Sequence, residues 1–218
     1  MNNVTPPGSL IDISLPLKEG GPVWPNSTGV HIDWTLRTDK GDSANLTRLD
    51  IDIHAGTHVE SSLHSFTAGA TVDVIPLAIL IGRAEVVYLP EADAVSVAEL
   101  DKVNLPNNTT RVLFRTRNEK FWERGEKNFQ ENFVGLTPDG AEWLVKRGIK
   151  LVGMDYLSIG RYGDGPKVHD TLFKGGVSII EGLYLNKVAP GSYHLICLPI
   201  NLVGREGAPA RAVLQPLL

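Results

Sequence analysis

The chain has 218 residues and a formal net charge of −4, with 21 Lys and Arg against 25 Asp and Glu and no long block of either sign, so neither a nucleic acid nor an anionic membrane surface is the expected partner. Its length admits one large domain or two small ones, and 22 Gly and 14 Pro with 21% charged residues describe turn-rich globular structure rather than disorder. A single cysteine, Cys197, excludes an intramolecular disulfide framework and a thiolate zinc cluster, so any metal has to be held by imidazole and carboxylate.

The opening MNNVTPPGSLIDISLPL has no basic segment followed by an apolar run. The apolar stretch Val74 to Gly82 is nine residues long, against the roughly 18 needed to cross a bilayer, so a cytoplasmic protein without a membrane partner is expected. Val30 to Arg37 alternates with Ile32, Trp34 and Leu36 on one side. Leu46 to His54 places Leu49, Ile51 and Ile53 on one face and Asp50, Asp52 and His54 on the other, which predicts a half-buried strand ending at His54. Ala84 to Leu89, Arg111 to Thr116 and Lys150 to Met154 read as more fully buried strands, and Tyr193 to Ile200 and Ala210 to Leu214 add two more. Ser96 and Glu99 have capping-box spacing before Leu100. Thr137-Pro138 begins a helix with Ala141, Leu144 and Val145 on one face, Lys146 and Arg147 in its last turn and a stop at Gly148. Arg117 to Gly135 is charged but carries Phe121, Trp122, Phe129 and Phe133, which fits either a loop or irregular helix over a pocket or an exposed excursion packing its aromatics locally. About eight strands and two to four helices, without repeat or linker, predict a single α/β domain over residues 1–218.

Chemistry concentrates in His54-Ala-Gly-Thr-His58-Val-Glu60-Ser-Ser-Leu-His64, which holds three of the six histidines; His31, His169 and His194 are dispersed. Imidazole and carboxylate together hold Zn or Mn while leaving a position open for water. In an extended chain His54 and His58 would stand roughly 13 Å apart, so convergence on one ion requires a turn at Ala55-Gly56, where glycine permits it. Thr57 is placed to satisfy backbone groups in that turn or to orient a ligand. Taken alone, His169 in Asp164 to Asp170 reads as an ordinary loop histidine and Trp24 as a core or surface anchor. Glu181, after Val177, Ile179 and Ile180, needs a partner or a cation if it is buried. Asp155 and Arg211 read as structural partners, and Cys197 as a packing residue.

The pattern H-x-G-T-H-x-[D/E]-x-x-x-H resembles the signature of the cyclase-like metal-dependent hydrolases, a family that includes bacterial kynurenine formamidase and isatin hydrolase. Ile11-Asp-Ile-Ser14 with Pro22-Val-Trp24-Pro25 is similar to the family's opening strand and tryptophan loop. Gly153 to Ser158, His169 and Ile179 to Leu183 are similar to its second ligand segment, and Tyr193 to Pro199 and Gly207 to Ala212 to its closing strands. The resemblance implies a single-domain, mixed-sheet swivelling β/β/α architecture. It implies metal ligation by His54, His58, Glu60, His169 and Glu181, proton transfer by His64, and Trp24 lining the substrate pocket. Where most members have Asp-Ala-Pro, this chain has Glu60-Ser61-Ser62: the carboxylate moves out by a methylene, against a distance tolerance of about 0.2 Å, so one ion or two remain open.

The expected function is hydrolysis of a small, aromatic formamide, lactam, lactone or ester with a divalent ion, Mn or Zn, and the resemblance implies a homodimer or higher homo-oligomer. Dehydration or ring closure by the same groups, and a binding protein without turnover, are the alternatives.

Overall fold

Valine, isoleucine and leucine runs bounded by glycine and proline turns build the centre of the molecule. The computed structural model describes residues 9–217; the opening MNNVTPPG and Leu218 lie outside the described residues. The strands are β1 (Ile11–Asp12), β2 (Val30–Leu36), β3 (Leu46–Ile51), β4 (His58–Glu60), β5 (Ile81–Leu89), β6 (Arg111–Thr116), β7 (Leu151–Met154), β8 (Ser178–Glu181), β9 (Gly191–Pro199) and β10 (Gly207–Pro216). The helices are α1 (Leu77–Leu80), α2 (Val97–Leu100), α3 (Glu119–Glu123), α4 (Pro138–Lys146) and α5 (Gly165–Lys174).

Eight strands lie in the order β1-β10-β4-β8-β7-β6-β5-β9, and β9 also pairs with β10, so seven of them close on themselves and β1 lies on the edge of the long β10. The β5–β6, β6–β7 and β7–β8 ladders are parallel, and the rest of this sheet is antiparallel. The closed sheet is therefore a mixed barrel. Its interior is filled by Val59, Val86, Leu113, Leu151, Ile180, Leu195, Cys197 and Ala212. On the other face of the parallel strands, Val112, Phe114, Val152, Met154 and Ile179 pack with Ala141 and Leu144 of α4 and Val168 and Leu172 of α5. Burial on both faces is why these strands read as continuous apolar runs. Cys197 is fully enclosed, and burial pushes its thiol up to about 12, consistent with a packing role.

Sequence and structure agree closely at α4: Thr137 Oγ1 accepts from Gly140 N at 3.3 Å, and Gly148 leaves the helix at φ 80°. Ser96 precedes the one-turn α2 without a side-chain cap. The run around His169 is not a loop but the first half of a ten-residue helix, α5, with Val168, His169, Leu172 and Phe173 buried at helical spacing.

The largest departure is at β2 and β3. They form a separate two-stranded sheet with Val30 opposite Ile51, Ile32 opposite Leu49 and Trp34 opposite Thr47. The alternation predicted here is real, but its apolar side is not half-buried: Trp34 is 57% exposed and Leu49 51% exposed. The second strand also stops at Ile51, three residues before His54, because the chain turns at Asp52.

Candidate metal centre

Ala55 N donates to the Asp52 carbonyl at 2.9 Å, and Gly56 follows at φ 66°, folding the 52–56 segment into a tight turn. His54 sits in this turn, His58 and Glu60 on β4, His64 at the end of a one-turn 3-10 helix over Ser62–His64, His169 on α5 and Glu181 at the end of β8. Register brings them together: His58 is paired with Glu181 across β4 and β8. Thr57 holds the turn against the barrel, its hydroxyl donating to the Gly182 carbonyl at 2.5 Å and accepting from Leu15 N at 2.8 Å. Gly182, at φ 67°, lies so close that an added Cβ would overlap the Gly56 carbonyl oxygen. Gly182→Ala is expected to destabilise the protein by about 2–3 kcal/mol, read from urea denaturation midpoints.

Glu60 is the hub. Its Oε1 lies 2.7 Å from His54 Nδ1, 3.4 Å from His58 Nε2 and 4.0 Å from His64 Nε2, while its Oε2 lies 3.2 Å from His169 Nε2. Glu181 Oε2 is 3.5 Å from His58 Nε2, and its Oε1 is 3.2 Å from His169 Nε2 and accepts from Ile159 N at 2.6 Å. The remote nitrogens are held as well: His58 Nδ1 by the Gly56 carbonyl at 3.0 Å and His169 Nδ1 by the Gly165 carbonyl at 2.7 Å.

Burial opposes charge on His58, Glu60, His169 and Glu181, and mutual contact overrides it. Glu181 and Glu60 lift the His58 imidazole to about 10. Glu60 and Glu181 raise His169 well above its ordinary value. Glu60 is held well below the usual carboxylate range, chiefly by His169. Glu181 is also lowered, by His169 and His58, against burial and the charge of Glu60. His64 goes the other way: burial, with His54 and His169 nearby, lowers it, so it is neutral at pH 7.

These residues fit a divalent cation. Donor atoms of His54, Glu60 and His64 lie within 4.8 Å of one another, as do those of His58, Glu60 and Glu181. Glu60 Oε2 is buried without an aligned hydrogen-bond donor, an expensive state for a carboxylate oxygen that a cation would relieve. Imidazole with carboxylate is a donor set for Zn or Mn.

His54, Glu60, His64, His169 and Glu181 line a cleft of about 820 Å³ that also takes in Trp24, Ile51, Asp52, Leu157, Ser158, Pro166 and Glu206, while His58 is fully buried. Trp24 stands 40% exposed at this cleft, edge-on to Phe129 with ring centroids 4.8 Å apart. Its loop is tied to the turn before His54, where the Ser27 hydroxyl donates to Asp52 and Thr28 N donates to Asp52 Oδ2 at 2.9 Å. The Arg117 to Gly135 segment divides its aromatics: Phe121 and Phe133 are core residues, whereas Phe129 reaches Trp24 and Tyr162. Asp155 anchors the segment, accepting from Thr116 N at 2.5 Å, Thr116 Oγ1 at 2.9 Å and Asn118 Nδ2 at 3.0 Å, although burial still pushes its carboxyl up to about 7. Arg211 pairs with Asp12, Nε to Oδ1 at 3.0 Å. Glu206 escaped sequence reasoning; its position beside Gly207-Ala-Pro209 was the available signal.

Residues 11–161 match the Cyclase family model, described as "Putative cyclase". Cyclase-like protein 3 of Oryza sativa subsp. japonica is 37% identical over 215 residues, 95% of this chain and 80% of that protein. Kynurenine formamidase of Bacillus thuringiensis (strain Al Hakam) is 32% identical over 209 residues, 95% and 97% of the two chains. A solved structure described as a potential metal-dependent hydrolase with cyclase activity superposes with a TM-score of 0.82 at 33% identity, covering 96% of this chain and 99% of that one. Isatin hydrolase A from Labrenzia aggregata shares the fold, with a TM-score of 0.80 at 19% identity over 94% and 93% of the chains. A sequence match over most of the chain, a closed mixed barrel of the same form and a His/Glu cluster suited to a divalent ion agree, and the chain belongs to the cyclase-like family of metal-dependent hydrolases.

Proposed function

We propose that the chain, acting as one domain, hydrolyses the C–N bond of a small aromatic formamide or lactam, or the C–O bond of a related lactone or ester. The observation that carries this reading is the convergence of His54, His58, Glu60, His169 and Glu181, four of which line a cleft with a neutral His64 and an accessible Trp24. Relatives named kynurenine formamidase support the substrate class. His54, His58, Glu60, His169 and Glu181 would hold Mn or Zn. Glu60 presents its two oxygens to different imidazoles, Oε1 to His54 and Oε2 to His169, so its carboxylate would be available to one ion or to two. A bound divalent ion supplies Lewis acidity, which acidifies water to a pKa of about 7 and polarises a carbonyl.

The remaining work falls to the chain. Neutral His64 accepts a proton from the attacking water and returns it to the departing nitrogen or oxygen, so that one water is added across the cleaved bond. Trp24 binds the planar ring, held in place by Phe129 and by the Ser27–Asp52 contact. Trp24→Ala is expected to raise KM by roughly 3–10-fold, the equivalent of 0.5–1.5 kcal/mol of aromatic contact, with kcat little changed.

The decisive experiment combines metal analysis of protein purified without chelator with a panel of N-formyl arylamines, isatin-like lactams and lactones. A product carrying one added water supports hydrolysis. A dehydrated or cyclised product supports the lyase reading, and tight binding without turnover supports a binding protein.

The same proposal includes a homodimer in the cytoplasm. The β2–β3 face of Val30, Ile32, Trp34, Leu49 and Ile51 carries apolar side chains that are exposed to partly buried, beside exposed Leu198 and Ile200, a surface suited to a second copy. Light scattering on the purified protein measures the state directly. No helix among the described residues is long and apolar enough to cross a membrane.

A further inference from the structure

We propose that Glu206 is a positioning residue for the ion site, fixing the tautomer and ring orientation of His54. This inference rests on the reading of the cluster as a divalent-ion site. Of the four imidazoles around Glu60, the three nearest are held in two different ways. His58 and His169 turn Nε2 toward the carboxylates and place Nδ1 on a backbone carbonyl, Gly56 at 3.0 Å and Gly165 at 2.7 Å. His54 is reversed. Its Nδ1 points inward, 2.7 Å from Glu60 Oε1 and 3.2 Å from His58 Nε2, and its outward Nε2 faces the Glu206 carboxylate, with Oε1 at 3.7 Å.

A neutral imidazole carries one N–H and one lone pair. When Nδ1 gives its lone pair to an ion, the proton has to reside on Nε2, and the acceptor facing that nitrogen is Glu206. Carboxylates behind ligand histidines commonly serve this purpose, setting the tautomer and raising ligand basicity.

The backbone at 206 is fastened to the ligand strand. Ser61, immediately after Glu60, donates to the Glu206 carbonyl twice, from its amide at 2.8 Å and its hydroxyl at 2.9 Å. Gly207 is the register partner of Glu60, and an added Cβ there would stand 2.9 Å from the Val59 carbonyl oxygen and 3.8 Å from His54 Cε1. The Ser61 that distinguishes this chain from the common Asp-Ala-Pro pattern thus fixes the backbone from which Glu206 reaches His54.

The test is Zn²⁺ and Mn²⁺ affinity of the stripped protein, measured by competition with a chromophoric chelator. Glu206→Ala is expected to weaken binding by about 10–100-fold. Glu206→Gln, which keeps an acceptor oxygen, should lose less, and Arg205→Ala in the same turn should lose nothing. The melting temperature of the ion-free protein reports whether each variant folds. Unchanged affinity in folded Glu206→Ala and Glu206→Gln overturns the assignment while leaving the ion site standing. A wild-type chain that takes up neither ion overturns both readings.

Discussion

His64→Ala is expected to leave the ion in place and to lower kcat/KM by about 10²–10⁴-fold, the usual worth of a positioned proton carrier. The side chain is 36% exposed, and its Nε2 stands 4.0 Å from Glu60 Oε1, farther than His54 or His58, so deleting it leaves the inner donors undisturbed. His58→Ala should behave differently and lose both ion and activity. His58 is fully buried between Glu60 and Glu181, and its removal leaves two carboxylates facing each other without the intervening imidazole. Metal content and turnover, measured on the same preparations, separate the two roles. Equal metal loss in both variants would make His64 a ligand, a possibility its convergence with His54 and Glu60 makes concrete.

The other large effect is expected from Glu60→Ala. Glu60 is common to both groups of donors, so its loss should abolish ion uptake at either position, whereas Glu60→Asp should retain a site. The same carboxylate governs how the ion-free protein responds to pH. His58, ordinarily near 6.5, is raised to about 10, and His169 is also raised; a raised imidazole contributes stability that is fully present below pH 6.5 and lost as pH climbs toward 10. Glu60 is depressed from 4.5, so its contribution is present above that pH and lost on acidification. The cluster therefore stabilises the ion-free chain most between about pH 4.5 and 6.5, and ion affinity rises with pH because the ion must displace these protons. Thermal scans of stripped and loaded protein from pH 4 to 9 check this. A stripped protein that keeps gaining stability above pH 7 would contradict the arrangement of protons described. In Glu60→Ala the alkaline loss should shrink.

The barrel strands were legible because burial on both faces leaves uninterrupted apolar runs such as Val112 to Phe114 and Leu151 to Met154. The 54–64 cluster was legible because three histidines and a glutamate crowd one window around a glycine that permits the required turn. What escaped depended on contacts distant in sequence. His169 was reached through the family resemblance alone, because it lies in a helix whose start is hidden by Gly165-Pro166 and it meets Glu60, more than a hundred residues earlier, only in the folded chain. Glu206 approaches His54 only because β10 pairs with β4. At β2 and β3 the period of two correctly marks extended chain, but periodicity states that a face wants cover without stating what supplies it. The aromatics of Arg117 to Gly135 could not be apportioned from composition, since Phe121, Phe129 and Phe133 differ only in which surface each meets.

Closure of the barrel passes through its shortest stave. Three residues of β4 join β10 on one side and β8 on the other, whereas β9 and β10 share seven register pairs. That narrow seam is spanned by the side chains of His58, Glu60 and Glu181, so a cation held by them would act as a rivet between distant parts of the polypeptide. Cation supply and mechanical integrity would then be one variable. Stripping the ion is therefore expected to raise protease sensitivity at this stave, read by limited proteolysis of stripped and loaded protein.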